Sequence, residues 1–144
     1  MGDDPLLEVY NREMIALAAE VESPRHLATP EMTARAVSPI CGSEVEVEIS
    51  LKDDKVADFG YTVEACALTK AVVAVMKYAI VGKSREDIAK AGAALRAMLE
   101  DAGAAPSGDW AGLKILLPVR DYKARHNSIL LPFEAVEEAF KKRG

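Results

Sequence analysis

An α+β fold, with a three-stranded antiparallel sheet packed against a layer of helices, is predicted by three stretches of this chain. In residues 44–51, Val45, Val47, Ile49 and Leu51 alternate with Glu44, Glu46, Glu48 and Ser50. Period two is the mark of a half-buried strand, here with an acidic outer face. Residues 56–63 follow across the short polar turn Lys52-Asp53-Asp54-Lys55, with Phe59, Tyr61 and Val63 on one face. Two such runs joined by a short turn make a hairpin. From residue 67 the period changes to that of helices, so the strands come first and the helices pack on them afterwards.

The elements follow in order. Leu6, Leu7, Tyr10, Met14, Leu17 and Val21 recur at helical spacing and predict an amphipathic helix over residues 6–21. Pro24 ends it, because the residue before a proline is driven out of helical geometry. Residues 26–30 connect to a short edge strand over 33–37, stopped by Ser38-Pro39. Val56 is out of phase with Phe59, which predicts a bulge in the second hairpin strand. Residues 67–81 are apolar almost all round, as expected of a buried helix, and Gly82 is placed to cap its C-terminus. Ser84-Arg85-Glu86-Asp87 predicts a capping box, with Asp in the usual Glu position. Ile88, Leu95, Met98 and Leu99 then face inward, and Gly103 ends that helix. Residues 110–119 are apolar and read equally as a short helix or a strand. Phe133, Val136 and Phe140 form the stripe of a final helix with a basic end, Lys141-Lys142-Arg143. Such an end suits the negative pole of a helix.

A length of 144 residues suits a single domain over 1–144, with an N-terminal helix and connection in 1–30 and a core in 31–144. Half of the residues are apolar and 28% are charged, the balance of a folded soluble protein. The net charge of −5 argues against a nucleic-acid partner, since phosphate backbones are held by cations. No run approaches the roughly 18 apolar residues of a membrane span. Met1-Gly2-Asp3-Asp4 is acidic and lacks a leader's basic segment, so no membrane association and a cytoplasmic location are expected. Gly2 is not followed by the Ser or Thr of a myristoylation signal. Two cysteines in a reducing compartment read as free thiols or metal ligands.

Those cysteines carry the chemistry. Cys41 lies in Ser38-Pro39-Ile40-Cys41-Gly42, just before the alternating strand. Cys66, in Glu64-Ala65-Cys66-Ala67-Leu68-Thr69, stands at the mouth of the apolar helix. A cysteine there meets the positive end of the helix dipole, which favours a thiolate. A Pro-x-Cys-Gly turn, a hairpin and a cysteine-capped helix, in that order, resemble the U-type iron–sulfur cluster assembly scaffolds, the IscU, SufU and NifU N-terminal proteins. Val81-Gly82-Lys83-Ser84 resembles that family's junction after the cysteine helix. Ala124-Arg125-His126-Asn127-Ser128, followed by residues 134–140, is similar to its basic-x-x-Cys stretch and last helix. The resemblance covers roughly residues 33–141 and a matching N-terminal helix.

What the resemblance implies is a scaffold that binds iron or a transient iron–sulfur cluster of the 2Fe–2S type, rather than an enzyme. Its implied partners are a cysteine desulfurase and recipient apo-proteins. The implied ligands are Cys41, Cys66 and His126, with Ser43, Lys70, Asn127 and Ser128 as further site positions. The chain departs from the family at Ser43, where relatives have Asp. It also departs at the third cysteine, which aligns with Ser128 without a gap or with Asn127 after a one-residue shift. Pro132 has no counterpart and is expected to delay or kink the last helix. Thiolates normally hold such clusters, with histidine an occasional substitute, whereas hydroxyls and amides are weak ligands, so the site is expected to be labile or lost. Zinc held by Cys41, Cys66, His126 and one more ligand is the alternative cargo. A fold that has lost its site and serves as an interaction module is a third reading. A Cys66–His126 nucleophile pair is a fourth, with no orienting third group in view. The bland readings are a solvated Lys70, a surface His26, and glutamates that keep the strand soluble and protect its edge. An acidic face of that kind can also dock a basic partner.

Overall fold

The structure is a computed structural model. It describes residues 5–39 and 42–143, with side chains in the first helix described from residue 12 onward. Helix α1 (Pro5–Ala19) is followed by strands β1 (Met32–Val37), β2 (Glu44–Lys52) and β3 (Lys55–Glu64). Helices α2 (Ala67–Ala79) and α3 (Arg85–Glu100) come next. A run of 3₁₀ turns (Gly108–Val119), a short 3₁₀ turn (Lys123–Arg125) and helix α4 (His126–Arg143) complete the chain. The expected side chains Leu6, Leu7 and Tyr10, the acidic start at residues 1–4, and Cys41 lie outside the described residues. Met14 and Val21, the later members of the same stripe, are buried.

The sheet is antiparallel in the order β1-β2-β3. Its register carries the alternation read from the sequence across all three strands. Val47 stands between Ala34 and Tyr61, Ile49 between Met32 and Phe59, and Val45 between Ala36 and Val63. Val45, Val47 and Ile49 are fully excluded from solvent. The hairpin turns through Asp53 and Asp54, both with positive φ (54° and 63°). That is the type I′ geometry whose twist matches the strands it joins. The register slips between Ser50 and Leu51, opposite Asp58 and Val56, which is the bulge that Val56 announced.

The outer face differs from expectation at Glu48. Its acidic pattern predicts solvent, yet Glu48 is only 8% exposed. The connection after α1 crosses this face and covers it. Arg25 pairs with Tyr61 through two backbone bonds of 2.9 and 2.8 Å, adding one residue of pairing to the free edge of β3. The Leu27 N–H donates to Glu48 Oε1 at 2.9 Å, and His26 Nδ1 lies 2.6 Å from Glu48 Oε2. The His26 side chain stays 61% exposed, so it is a surface residue with a buried partner. Gly60, opposite Glu48, makes the crossing possible, because a Cβ there would come within 2.5 Å of the Arg25 carbonyl oxygen.

On the inner face, α4 lies over β1 and β2, and α2 packs against β3. α2 is also contacted by α1, α4 and the 3₁₀ run, which is why its sequence is apolar all round. Nine of its residues are buried, among them Thr69, Val72, Val73 and Met76, and this burial is what the apolar pattern of the helix requires. Gly82 has φ +88°, but its N–H donates to the Val56 carbonyl, and Val56 N–H donates to that of Lys83. It therefore ties the end of α2 to the start of β3. The capping box is present as predicted, with Ser84 and Asp87 exchanging bonds of 3.1 Å. α3 ends through Ala102, which takes the left-handed conformation at φ 54°, while the Gly103 N–H closes on the Ala97 carbonyl.

Residues 108–119 resolve the ambiguity in an unforeseen way. Trp110, Leu113, Leu116 and Val119 are the buried positions, spaced every third residue. That is the repeat of a 3₁₀ helix, whose side chains eclipse at i and i+3. The last helix is a correction. Pro132 does not delay it, for α4 begins at His126 and runs through the proline. Among the described residues, no helix is long and apolar enough to cross a membrane.

Candidate functional site

One end of the sheet brings the neighbourhoods of Ser43 and Cys66 together. Glu44, the first residue of β2, pairs with Val37 on one side and Glu64 on the other. The turn after β1 and the junction before α2 therefore meet at the same sheet end. The turn is closed by Ser38 N–H donating to the Ser43 carbonyl at 2.8 Å and Gly42 N–H donating to that of Ser38 at 2.9 Å. Gly42 has φ +73°, a conformation that suits glycine. Ser43 is buried and is engaged by a neighbour.

Cys66 is the N-cap residue of α2, with extended backbone (φ −72°, ψ 170°). Its carbonyl accepts the Lys70 N–H, the first bond of the helix. No acidic side chain occupies the first turn of α2, so no carboxylate on that turn offsets the positive end of the dipole. Cys66 is half-buried, and its Sγ lies 3.6 Å from Thr69 Oγ1. Thr69, fully buried, donates its hydroxyl to the Ser128 carbonyl at 2.9 Å. A single threonine thus joins the cysteine helix to the first turn of α4.

α4 presents its candidates unequally. His126 is buried, and its Nε2 lies 2.8 Å from the Arg120 carbonyl oxygen. A carbonyl only accepts, so Nε2 carries the proton and Nδ1 alone keeps a lone pair for a metal. Asn127 is exposed, and Ser128 is buried and engaged. The Lys70 ammonium is engaged by Glu22, with Nζ donating to Oε1 at 2.7 Å. Among the described residues, no three His, Cys, Asp or Glu side chains come together as a metal-binding set. The donors these candidate residues carry are one thiol, one imidazole nitrogen and hydroxyls, a mixed set of soft and weak ligands.

Sequence reasoning named Thr69 only as part of a motif, gave Glu22 no role, and named Pro132 only as a disturbance. The first and last had a legible signal. A hydroxyl three residues after a helix-capping cysteine lies within reach of it, and a proline brings no backbone N–H to the helix it stands in.

Comparison with known proteins agrees with this architecture. The NifU-like N terminal domain family matches residues 16–128. A crystal structure of a nitrogen-fixing NifU-like protein (N-terminal) from Brucella abortus superposes with a TM-score of 0.86 at 39% identity, covering 92% of each chain. A structure from Fervidobacterium islandicum AW-1, of a protein assigned to iron–sulfur cluster assembly scaffolding in the SUF system, gives a TM-score of 0.77 at 20% identity. It covers 88% of this chain and 93% of that one. At the level of sequence, the iron–sulfur cluster assembly scaffold protein IscU of Streptococcus pyogenes serotype M1 is 22% identical over 105 residues, 73% of this chain. The match spans 66% of that protein's length. With its sheet order, its cysteine-capped α2 and a family match over most of its length, this chain belongs to the NifU-like N-terminal domain family.

Proposed function

We propose that this protein is a scaffold for iron–sulfur cluster assembly, on which iron and sulfur are held before passing to recipient apo-proteins. The observation that carries this reading is Cys66 at the N-terminus of α2, joined through Thr69 to the first turn of α4, at the sheet end where Ser43 precedes β2. Cys66 and Cys41 are the thiolate ligands, and His126 adds an imidazole through Nδ1. A cysteine desulfurase is the sulfur source, and the chain itself binds and releases rather than catalyses. The cargo is iron or a 2Fe–2S cluster, which thiolates favour. Two thiolates and an imidazole leave at least one coordination position to a weak ligand or water, so the cargo is loosely held.

Zinc is the second reading, since a mixed set of sulfur and imidazole donors suits it. Zinc takes sulfur and imidazole ligands in a tetrahedron, and two cysteines, one histidine and one further donor meet that requirement.

Anaerobic reconstitution with iron and sulfide tests both readings, with absorption spectra and iron, sulfide and zinc analysis of desalted protein. A thiolate-to-iron band with bound sulfide, lost in Cys41→Ser and in Cys66→Ser, is the expected result. Colourless protein carrying zinc that both substitutions remove supports the second reading. Protein that takes up neither metal overturns both and leaves an interaction module with a scaffold's fold.

A further inference from the structure

The segment between β1 and β2 closes on itself through Ser38. The Ser38 N–H donates to the Ser43 carbonyl at 2.8 Å, and the Ser38 carbonyl accepts the Gly42 N–H at 2.9 Å. The backbone of Ser38 is thus used on both sides, and its side chain is not. The residue is 1% exposed, and its Oγ has no hydrogen-bond partner. The sheet sets its position. The Ser38–Ser43 bond continues the β1–β2 ladder in phase with Ala34 and Ala36, which belong to the inner face that α4 lies over. Val37, one residue earlier, stands on the other face and is half exposed.

A hydroxyl hidden from water without a partner costs free energy, and an alanine would serve the backbone roles of Ser38 without that cost. A serine in a turn commonly spends its hydroxyl on a backbone group nearby, and this one does not. Cys41 stands three residues on in the sequence. The proton of a hydroxyl suits a sulfur that carries negative charge, as thiolates and sulfide do, whereas its oxygen is a weak ligand for iron or zinc. Hydrogen bonds to the sulfurs of a metal site tune its affinity and its electronic properties. We infer that the Ser38 hydroxyl is kept for the loaded site, where it donates its proton in a hydrogen bond to a metal-bound sulfur. Ser38 is a positioning residue, acting on the metal through sulfur and not as a ligand. Its unmet hydroxyl is a cost to the metal-free protein that the cargo relieves. The inference deepens the scaffold reading and rests on it.

The test uses the full chain in two measurements. The first is denaturant unfolding of metal-free protein. Ser38→Ala is expected to lower the unfolding equilibrium constant by about threefold or more, because it removes a buried group that has no partner. An unchanged or raised constant shows that the hydroxyl already has a partner, in the protein or in solvent, and overturns the inference.

The second measurement is cobalt(II) binding, read by competition with a chelator and by the sulfur-to-cobalt absorption band. Ser38→Ala is expected to weaken binding about tenfold. It is also expected to move the band to lower energy, since a hydrogen bond holds the electrons of sulfur more tightly. Thr62→Val removes the other buried hydroxyl without a partner among the described side chains, which lies on the outer sheet face opposite Glu46. It is expected to change neither readout. An unchanged affinity or an unmoved band in Ser38→Ala, or an equal loss in Thr62→Val, overturns the inference and leaves the scaffold reading standing. A natural chain that binds no cobalt sinks the scaffold reading and the inference with it.

Discussion

Glu48 shows how far one residue can stray from its pattern. It belongs to an alternating acidic row, yet it is buried under the segment that follows α1. Burial pushes its carboxyl upward, but the His26 ring and the Leu27 N–H together outweigh this and hold it below its ordinary value. The sign of the pH effect follows. A carboxyl whose pKa is depressed on folding contributes stability in full above the unfolded value, about 4.3 for glutamate, and loses it as pH falls through the lower folded value. Glu48→Gln is expected to cost about 1–2 kcal/mol at neutral pH, as one charge-assisted bond is exchanged for a weaker one. Unfolding titrations between neutral and acid pH should converge for the two proteins as the carboxylate of the natural chain is protonated. A constant gap down to acid pH would show that the charge of Glu48 does not stabilise the fold.

Elements were legible where local chemistry sets them. The capping box of α3 is a contact between residues three apart, and Ser84 and Asp87 make it as the sequence foretells. The bulge in β3 follows from the phase of Val56 alone. The end of α3 is a near miss with a physical reason. Glycine best tolerates positive φ, so Gly103 is the natural stop, but Ala102 takes the left-handed position and Gly103 supplies only a donor. An alanine there carries the steric cost of its Cβ. Ala102→Gly is therefore expected to raise stability by about 0.5–1 kcal/mol, less whatever entropy glycine adds to the unfolded chain. Thermal or denaturant melts measure it, and a destabilised variant would show that the strain is not present in solution.

Across the whole molecule, the site is made by elements far apart in sequence. Thr69 and Ser128 are 59 residues apart, and no local pattern says that α2 and α4 touch. The two residues that align with the family's third cysteine differ in their surroundings. Ser128 is buried and its backbone is tied to the cysteine helix, whereas Asn127 is exposed. Ser128→Cys is accordingly expected to tighten zinc binding by about tenfold or more, since a thiolate is a far better zinc ligand than a hydroxyl. Asn127→Cys is expected to change it little. Competition titrations with a chelator measure both. Equal gains from the two would show that the start of α4 is not held in the described register.

The sequence by itself determined the α+β class, the hairpin and its bulge, the buried character of α2 and the cap of α3. It also placed a cysteine at the mouth of a buried helix. All of these rest on contacts within a few residues or on the period of one element. Only the tertiary structure decided that Glu48 is covered, that Lys70 answers to Glu22, and that Nε2 of His126 is spent on Arg120. It alone showed that Pro132 stands within α4 and that Thr69 donates to the Ser128 carbonyl. Each of these is a hydrogen bond between distant segments or a turn-level contact at a chain crossing. Donors and acceptors carry no periodicity that announces a partner, so such bonds become visible only once packing has brought the segments together.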